Sequence, residues 1–122
     1  MKNLILLLAF VILGGGLVAQ VEKPHKPMSG LSYKIYYKRL EKPKREKRRM
    51  KKGIRMMTFR YISSNQLYKA AQIFTDDEMR LLYVKEVYPK VSDKSNAIII
   101  CDAFENFSHS QILWEFIKEQ NP

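Results

Sequence analysis

The chain has 122 residues and a formal net charge of +10, a length sufficient for one small domain. Its single cysteine, Cys101, excludes a scaffold of disulfides within the chain. Residues 21–60 contain 15 Lys and Arg against 3 acidic residues, whereas residues 61–122 contain 6 against 9. This asymmetry indicates a basic arm that meets an anionic partner, or one that packs on its own acidic half.

The first 19 residues have the pattern of a cleavable secretory signal peptide. Lys2 precedes an unbroken apolar run over residues 4–13, three glycines end the run, and Ala19 lies at the expected cleavage site. A membrane anchor is the alternative, but a spanning helix needs about 20 apolar residues and this run is shorter. We therefore expect cleavage near Ala19 and a mature protein in the periplasm, in the envelope or outside the cell.

Residues 20–40 are predicted to be a linker that becomes basic and aromatic. Two prolines and Gly30 favour irregular backbone to about Ser32. The following residues 33–38 could be a short extended piece or a first helical turn, and their periodicity does not decide between the two.

A long basic helix is predicted from Lys44 to about Ile62. Its apolar residues recur at the spacing of a single helical face, and the opposite face is almost entirely Lys and Arg. Gly53 is expected to weaken this helix slightly. The apolar residues of the face are Met50, Ile54, Met57 and Tyr61.

Three further helix starts are predicted from a Ser or Thr with Gln or Glu three residues later: Ser63–Gln66, Thr75–Glu78 and Ser108–Gln111. The carboxylates of residues 76–78 would also favour the positive end of a helix dipole, and Pro89 would end that helix. The residues expected to point inward are Leu67, Ala70, Ala71 and Phe74, then Met79, Leu82, Tyr83 and Val87, and finally Ile112, Leu113, Phe116 and Ile117.

The segment between the last two of these helices is ambiguous. Residues 96–101 include a β-branched run that could form a buried strand. We favour a helix capped by Ser92 or Asp93, because a single strand would lack a partner. Its buried face would consist of Ala97, Ile100, Cys101 and Phe104.

An internal repeat supports this choice. Residues 69–74 resemble residues 99–104, and residues 82–86 resemble residues 115–119. Each unit would be an αα-hairpin that shares a core with its neighbour, although any two amphipathic helix pairs look somewhat alike. The sequence therefore predicts an all-α domain over residues 41–122, a bundle of about five helices with two αα-hairpins as a pseudo-repeat behind the basic helix.

The run from about Lys44 to Ile117 resembles the family called domain of unknown function 4476. This resemblance implies a small helical domain, often on exported bacterial proteins, and it implies no catalytic residues. The stretch 38–60 is richer in Lys and Arg than the family pattern. The resemblance is carried by Ser64-Asn65-Gln66-Leu67, Phe74, Arg80-Leu81, Tyr88-Pro89, Val91-Ser92-Asp93, Asn96, Asp102-Ala103-Phe104 and Ile112-Leu113-Trp114-Glu115-Phe116-Ile117.

Candidate chemical groups are few. Neither His25 nor His109 has a Cys or carboxylate at ligand spacing, so no metal site is predicted. Cys101 on an apolar helix face reads as a small buried hydrophobe rather than a reactive thiol. No phosphate-binding glycine loop or Ser-His-Asp arrangement is present, and we predict no catalytic residue and no cofactor.

The basic stretch carries the functional prediction, which is an exported, non-enzymatic binding or structural module for an anionic partner. Candidate partners are lipopolysaccharide, anionic lipid, an acidic polysaccharide and an acidic protein, and export argues against nucleic acid in vivo. The residues assigned to this partner are Lys44, Arg45, Lys47, Arg48, Arg49, Lys51, Lys52 and Arg55.

Three alternatives stay open. One is an uncharacterised envelope enzyme whose pocket would group Asp93, Asn96 and Asp102. Another is a membrane-surface amphipathic anchor that uses Tyr36 and Tyr37 together with the cations. The last is a solvated basic helix face without a dedicated partner.

Overall fold

The computed structural model describes residues 25–121, and it confirms the all-α prediction. Within this range the only β feature is an isolated bridge between Ile62 and Val91. The predicted signal peptide, residues 1–19, lies outside the described residues. The elements are α1 (Gly30–Glu41), α2 (Glu46–Met56), α3 (Ser64–Ala71), α4 (Asp77–Val87), a short 3-10 helix (Tyr88–Lys90), a long 3-10 helix (Lys94–Ala103) and α5 (Phe107–Gln120).

The core lies between three consecutive helix pairs: α1 with α2, α3 with α4, and the long 3-10 helix with α5. Neighbouring pairs are joined mainly by the packing of α2 on α4 and of α3 on the long 3-10 helix. None of the helices in residues 25–121 is both long enough and apolar enough to cross a membrane. Fully buried side chains from all three pairs meet in this core, among them Leu40, Met57, Leu67, Phe74, Tyr83, Ile100 and Leu113.

Helix α1 (Gly30–Glu41) occupies residues 30–40 of the segment 20–40 that was predicted to be a linker and a basic, aromatic stretch. The Ser29 side chain caps it by accepting a hydrogen bond from the Ser32 amide at 3.1 Å, and Tyr36 and Leu40 are buried. Residues 33–38 are therefore helical. The helix is stabilised by packing against α2, and two buried residues one turn apart are too weak a pattern to reveal it from the sequence.

Helix α2 is shorter than predicted, because it ends at Met56 rather than near Ile62. The chain turns over residues 57–59 and then extends, since the Ile62 amide donates to the Lys90 carbonyl and the Ser92 amide donates to the Ile62 carbonyl, both at 2.9 Å. Tyr61 consequently lies outside the helix that was expected to include it.

Only one of the three predicted capping boxes is correct. Ser63 and Gln66 form both reciprocal bonds, at 3.1 and 3.0 Å. At α4 the cap is Asp76, which accepts from the Glu78 amide, and at α5 it is Asn106, which accepts from the Ser108 amide. Asp and Asn cap a helix as well as Ser does, so the correct cap lies one or two positions from the predicted Ser or Thr.

The ambiguous segment is neither strand nor α-helix but the long 3-10 helix, with Ala97, Ile100 and Cys101 buried as predicted. Asp93 precedes it without capping it. Its carboxylate instead accepts a hydrogen bond from the Ser64 amide at 2.7 Å and so supports the start of α3.

Two inward-facing predictions are wrong, because Leu82 and Ile112 are 46 % and 47 % exposed. On α4 the inward positions are taken by Val84 and by Arg80, which is 3 % exposed. A charged residue at such a position cannot be identified as buried from hydrophobic periodicity.

The pseudo-repeat is present, and it includes a third pair, α1–α2. The guanidinium of Arg80 donates to the carbonyls of Ala71, Phe74 and Ala103 and pairs with Asp77. The guanidinium of Arg49, at the corresponding position of α2, repeats this pattern with the carbonyls of Leu40, Pro43 and Ile73 and with Glu46. In the third pair Ser110 occupies this position, and its hydroxyl donates to the Cys101 carbonyl at 2.8 Å.

The repeated phenylalanines belong to the same arrangement. The Arg49 guanidinium lies 5.9 Å from the ring centre of Phe74, and the Arg80 guanidinium lies 5.8 Å from that of Phe104. The acidic partner of each arginine also accepts hydrogen bonds from backbone amides that precede the second helix of the next pair. Glu46 accepts from the amides of Thr75 and Asp76, and Asp77 accepts from the amide of Asn106. Each arginine therefore connects its own helix pair to the next one.

Candidate anionic-ligand surface

The eight residues assigned to an anionic partner separate into a surface set and an internal one. Six of them are exposed, and Lys52 is half-buried. Arg49 points inward. We use the name cationic surface for the six exposed residues Lys44, Arg45, Lys47, Arg48, Lys51 and Arg55.

Arg49 does not belong to this surface, which corrects its assignment. Its guanidinium reaches the carbonyls of Leu40 and Pro43 at 3.0 and 2.7 Å and forms an ion pair with Glu46. Arginine suits this role because its planar fork donates in several directions at once. Because the N–H groups of its guanidinium are hydrogen-bonded within the fold, Arg49 is a poor candidate for binding a ligand.

Helical spacing brings the remaining cations together. Residues 48, 51 and 55 follow one another at three- and four-residue intervals and so lie on one face of α2. They line a shallow depression of about 600 Å3 together with Arg45 and Lys47. A second depression of about 440 Å3, beside the start of α2, is lined by Lys42, Pro43, Lys44, Arg45 and Arg48.

The cationic surface is not neutralised by the part of the chain that the structure describes. The ion pairs within residues 25–121 involve Arg49, Arg80, His109 and Lys118 as cations, and none involves the cationic surface. The acidic C-terminal half therefore does not dock onto it through an ion pair. Like charges at these helical spacings repel each other by a few tenths of a kcal/mol per pair, so the cluster does not stabilise the helix.

A groove lined by both apolar and basic side chains lies between α1 and the end of α2. It has a volume of about 540 Å3, and its lining includes Ile35, Arg39, Met56, Phe59 and Arg60. Ile35 is 48 % exposed and Phe59 is 94 % exposed. This groove was not predicted from the sequence, since Ile35 was not distinguished from its tyrosine neighbours and Phe59 was placed inside a helix.

Two of the three tyrosines in residues 33–37 have hydroxyl groups that are hydrogen-bonded within the fold. The Tyr36 hydroxyl lies 2.6 Å from the Tyr83 hydroxyl and donates to the Gly53 carbonyl at 3.1 Å. The Tyr33 hydroxyl donates to the Gln66 carbonyl at 2.8 Å. Burial raises the pKa of both Tyr36 and Tyr83 well above its ordinary value. Of the two tyrosines named for an anchor, Tyr36 is buried and Tyr37 is half-buried.

The three polar residues considered for an enzyme pocket are not joined in one hydrogen-bonded group within residues 25–121. The Asp93 carboxylate accepts from the Ser64 amide at 2.7 Å and from the Asn96 side chain at 3.3 Å. Asp102 lies exposed on the long 3-10 helix. The main contact of Asp93 is therefore structural, at the start of α3.

The remaining candidate groups are Cys101 and the two histidines. Cys101 is buried, and its burial and the nearby Asp102 raise the pKa of the thiol to about 11, which keeps it protonated near neutral pH. His25 stacks on Tyr61 with ring centres 4.1 Å apart, and His109 Nδ1 lies 3.8 Å from the Asp77 carboxylate. Residues 25–121 contain no group of three or more metal-ligating side chains.

Comparison with known protein families gives a match over most of the chain. A family model described as Domain of unknown function (DUF4476) matches residues 28–116, which confirms the resemblance found from the sequence. The match starts well before Lys44 and includes both α1 and the cationic surface. Searches of curated proteins and of solved structures gave no significant match.

Proposed function

We propose that this chain, which belongs to the family described as Domain of unknown function (DUF4476), is a non-enzymatic binding module whose cationic surface engages an anionic partner. The observation that carries the proposal is the cluster of exposed cations on one face of α2, without an acidic counterpart among the described residues. An anion that spans several of them would relieve their mutual repulsion as well as gain direct attraction.

The shape of the surface supports a partner with repeated charges. Five of the cations line one shallow depression, and the second depression extends the positive region to Lys42 and Lys44. A single small anion would contact only part of this area. A polymer or an array of headgroups would contact most of it.

The predicted signal peptide narrows the choice of partner. Export near Ala19 would place the mature protein in the periplasm, the envelope or the extracellular medium. The anionic components available there are lipopolysaccharide, anionic lipid, acidic polysaccharide and acidic protein. On this proposal nucleic acid is not the partner in vivo.

A charge-reversal pair tests the proposal. The variant Lys51→Glu with Arg55→Glu should weaken binding to a soluble polyanion such as polyphosphate by at least about tenfold, and the wild-type affinity should fall steeply with salt. The matched control is Lys69→Glu with Lys118→Glu, which changes net charge equally at exposed positions of α3 and α5. Equal losses in the two variants, or affinity that ignores salt, would contradict a dedicated cationic surface.

A further inference from the structure

We infer that the anionic partner is the surface of an anionic lipid membrane, which receives the side chains of Leu31, Ile35 and Phe59 while the neighbouring cations meet the headgroups. This inference rests on the proposed function and identifies its partner. The name apolar rim is used for these three residues.

The apolar rim is well exposed. Leu31 and Ile35 lie one turn apart on α1 and are 72 % and 48 % exposed. Phe59 lies in the turn after α2, is 94 % exposed, and shares the groove between α1 and α2 with Ile35. A phenylalanine this exposed contributes almost nothing to the core, and several large apolar side chains side by side are typical of an interaction surface.

Arginines lie beside two of the three residues of the apolar rim. Arg39 and Arg60 line the same groove as Ile35 and Phe59. Arg55 lines the depression on α2 and the next residue, Met56, lines the groove, so consecutive residues of α2 contribute to the two features. No acidic side chain lines either of these two features of residues 25–121.

This combination of chemistries favours a membrane over the other anionic partners. A polysaccharide or polyphosphate would satisfy the cations and leave the apolar rim in water. A lipid surface offers phosphate groups and an apolar layer a few ångströms apart, and amphipathic protein surfaces with Lys, Arg, Phe and Leu bind at that boundary. The long stems of Arg39 and Arg60 can lie along the apolar layer while their guanidinium groups stay with the headgroups.

Neither contribution alone gives stable attachment. A few partly inserted apolar side chains bind weakly, and each cation near an anionic surface strengthens binding by only about fivefold. Binding should therefore require anionic lipid and an intact apolar rim together. This double requirement separates a membrane from a soluble polyanion.

The full-length chain is expressed in an exporting host, and the experiment uses the protein that is recovered, with the N-terminus of every variant checked by mass spectrometry. All variants then share the same N-terminal residues, so differences between them arise from the substitutions. The probes are vesicles of equal parts phosphatidylglycerol and phosphatidylcholine, vesicles of phosphatidylcholine alone, and polyphosphate. Circular dichroism verifies that each variant is folded.

The decisive variant replaces the apolar rim by Leu31→Ser, Ile35→Ser and Phe59→Ser. It should bind the phosphatidylglycerol vesicles at least about tenfold more weakly than wild type and bind polyphosphate unchanged. The matched control is Ile98→Ser with Ile112→Ser, which removes exposed isoleucines from the long 3-10 helix and α5 and should leave both affinities unchanged. In a separate variant, Phe59→Trp, brominated acyl chains should quench more fluorescence than they do in wild type, which has only Trp114.

The outcomes distinguish the two proposals. Polyphosphate binding that depends on Lys51 and Arg55, together with vesicle binding that ignores the apolar rim, overturns the membrane inference and leaves the proposed function standing. Absence of extra quenching in Phe59→Trp also overturns it, and a soluble acidic polymer or protein then becomes the partner. If the wild-type protein shows no salt-dependent binding to any of the anionic probes, both proposals are overturned.

Discussion

Arg80 is the one cation of the C-terminal half that is almost entirely removed from water. It is 3 % exposed, and its guanidinium donates to three backbone carbonyls and to the Asp77 carboxylate. The three carbonyls belong to the end of α3, the loop after it and the end of the long 3-10 helix. The side chain thus satisfies groups from three segments that otherwise lack helical partners.

Replacement of Arg80 by Met should destabilise the fold by about 3–5 kcal/mol, because Asp77 and the carbonyls would stay buried without their donor. Arg80→Lys should recover only part of this loss, since an ammonium cannot reach all the acceptors of a planar guanidinium. Urea unfolding followed by circular dichroism measures both values. The control Arg48→Met, on the exposed face of α2, should change stability by less than about 0.5 kcal/mol. Similar midpoints for all three variants would contradict the structural role of Arg80.

Gly53 is required by the close approach of neighbouring side chains, contrary to the mild weakening expected from helix propensity. A Cβ atom there would lie 2.7 Å from Tyr83 Cε1 and 2.8 Å from Leu40 Cδ1. The Tyr36 hydroxyl also bonds to the Gly53 carbonyl. The glycine therefore allows α1 and α4 to approach α2.

Gly53→Ala should destabilise the protein by about 1–3 kcal/mol through overpacking, in spite of a gain of about 1 kcal/mol in helix propensity. Gly30→Ala is the matched control, because nothing lies within 4 Å of a Cβ atom at that position. The control should be neutral or slightly stabilising. Chemical denaturation of the two variants decides the matter, and a gain of stability in Gly53→Ala would show that the neighbours move aside easily.

At the scale of the elements, the sequence predicted the approximate positions of α3, α4 and α5 well, and it predicted helix ends and the 3-10 form of residues 94–103 poorly. Helices α3, α4 and α5 were found because each has buried apolar residues at helical spacing. Helix α1 was not predicted because only two of its residues, Tyr36 and Leu40, are buried. The end of α2 was overestimated because the pairing of Ile62 beside Val91 is a long-range contact that no local pattern encodes.

The cap assignments give a test at the same scale. Asn106→Ala should cost about 1 kcal/mol, because its side-chain oxygen accepts from the Ser108 amide at 2.9 Å. Gln111→Ala should cost little, since this exposed residue does not close the capping box predicted from Ser108. Thermal unfolding of the two variants compares them directly. A larger loss of stability for Gln111→Ala than for Asn106→Ala would show that the capping box predicted from Ser108 does begin α5.

The candidate site was predicted only in part, because helical spacing can be recognised in the sequence and long-range contacts cannot. Helical spacing placed Arg48, Lys51 and Arg55 on one face, and the structure brings them to one depression. It could not separate Arg49, since a charged side chain at an inward position looks the same in the sequence as one at an outward position. The groove could not be predicted because it joins α1, which was not predicted, to the turn after α2, which was placed inside a helix.

The whole molecule is a chain of three helix pairs in which each arginine and its acidic partner connect one pair to the next. In α2 this arrangement gives the cations two different roles, one within the fold and one at the surface. Arg49 is committed to the interior through Glu46 and the carbonyls of α1 and its loop, while the cationic surface stays outside. The fold therefore retains a strongly positive face without using that charge for its own cohesion.

A second property of the whole molecule is a set of buried thiol and phenol groups that can lose a proton at alkaline pH. Burial raises the pKa of Cys101 from 9.0 to about 11 and raises that of Tyr36 and Tyr83 above 10.0. Each group keeps its proton when folded and loses it more readily when unfolded. Their contribution to stability is thus complete below about pH 9 and is lost as the pH rises above the unfolded values.

The free energy of unfolding should therefore fall steeply above about pH 9, by up to about 1.4 kcal/mol per pH unit for each such group. Tyr36→Phe should lower stability at pH 7 by about 1 kcal/mol, since the bonds to Tyr83 and Gly53 are lost. The same variant should lose less stability than wild type between pH 9 and 11, because one titrating phenol has been removed. Urea unfolding at several pH values measures the two slopes. Parallel slopes would mean that the Tyr36 phenol ionises equally easily in the folded and unfolded chains.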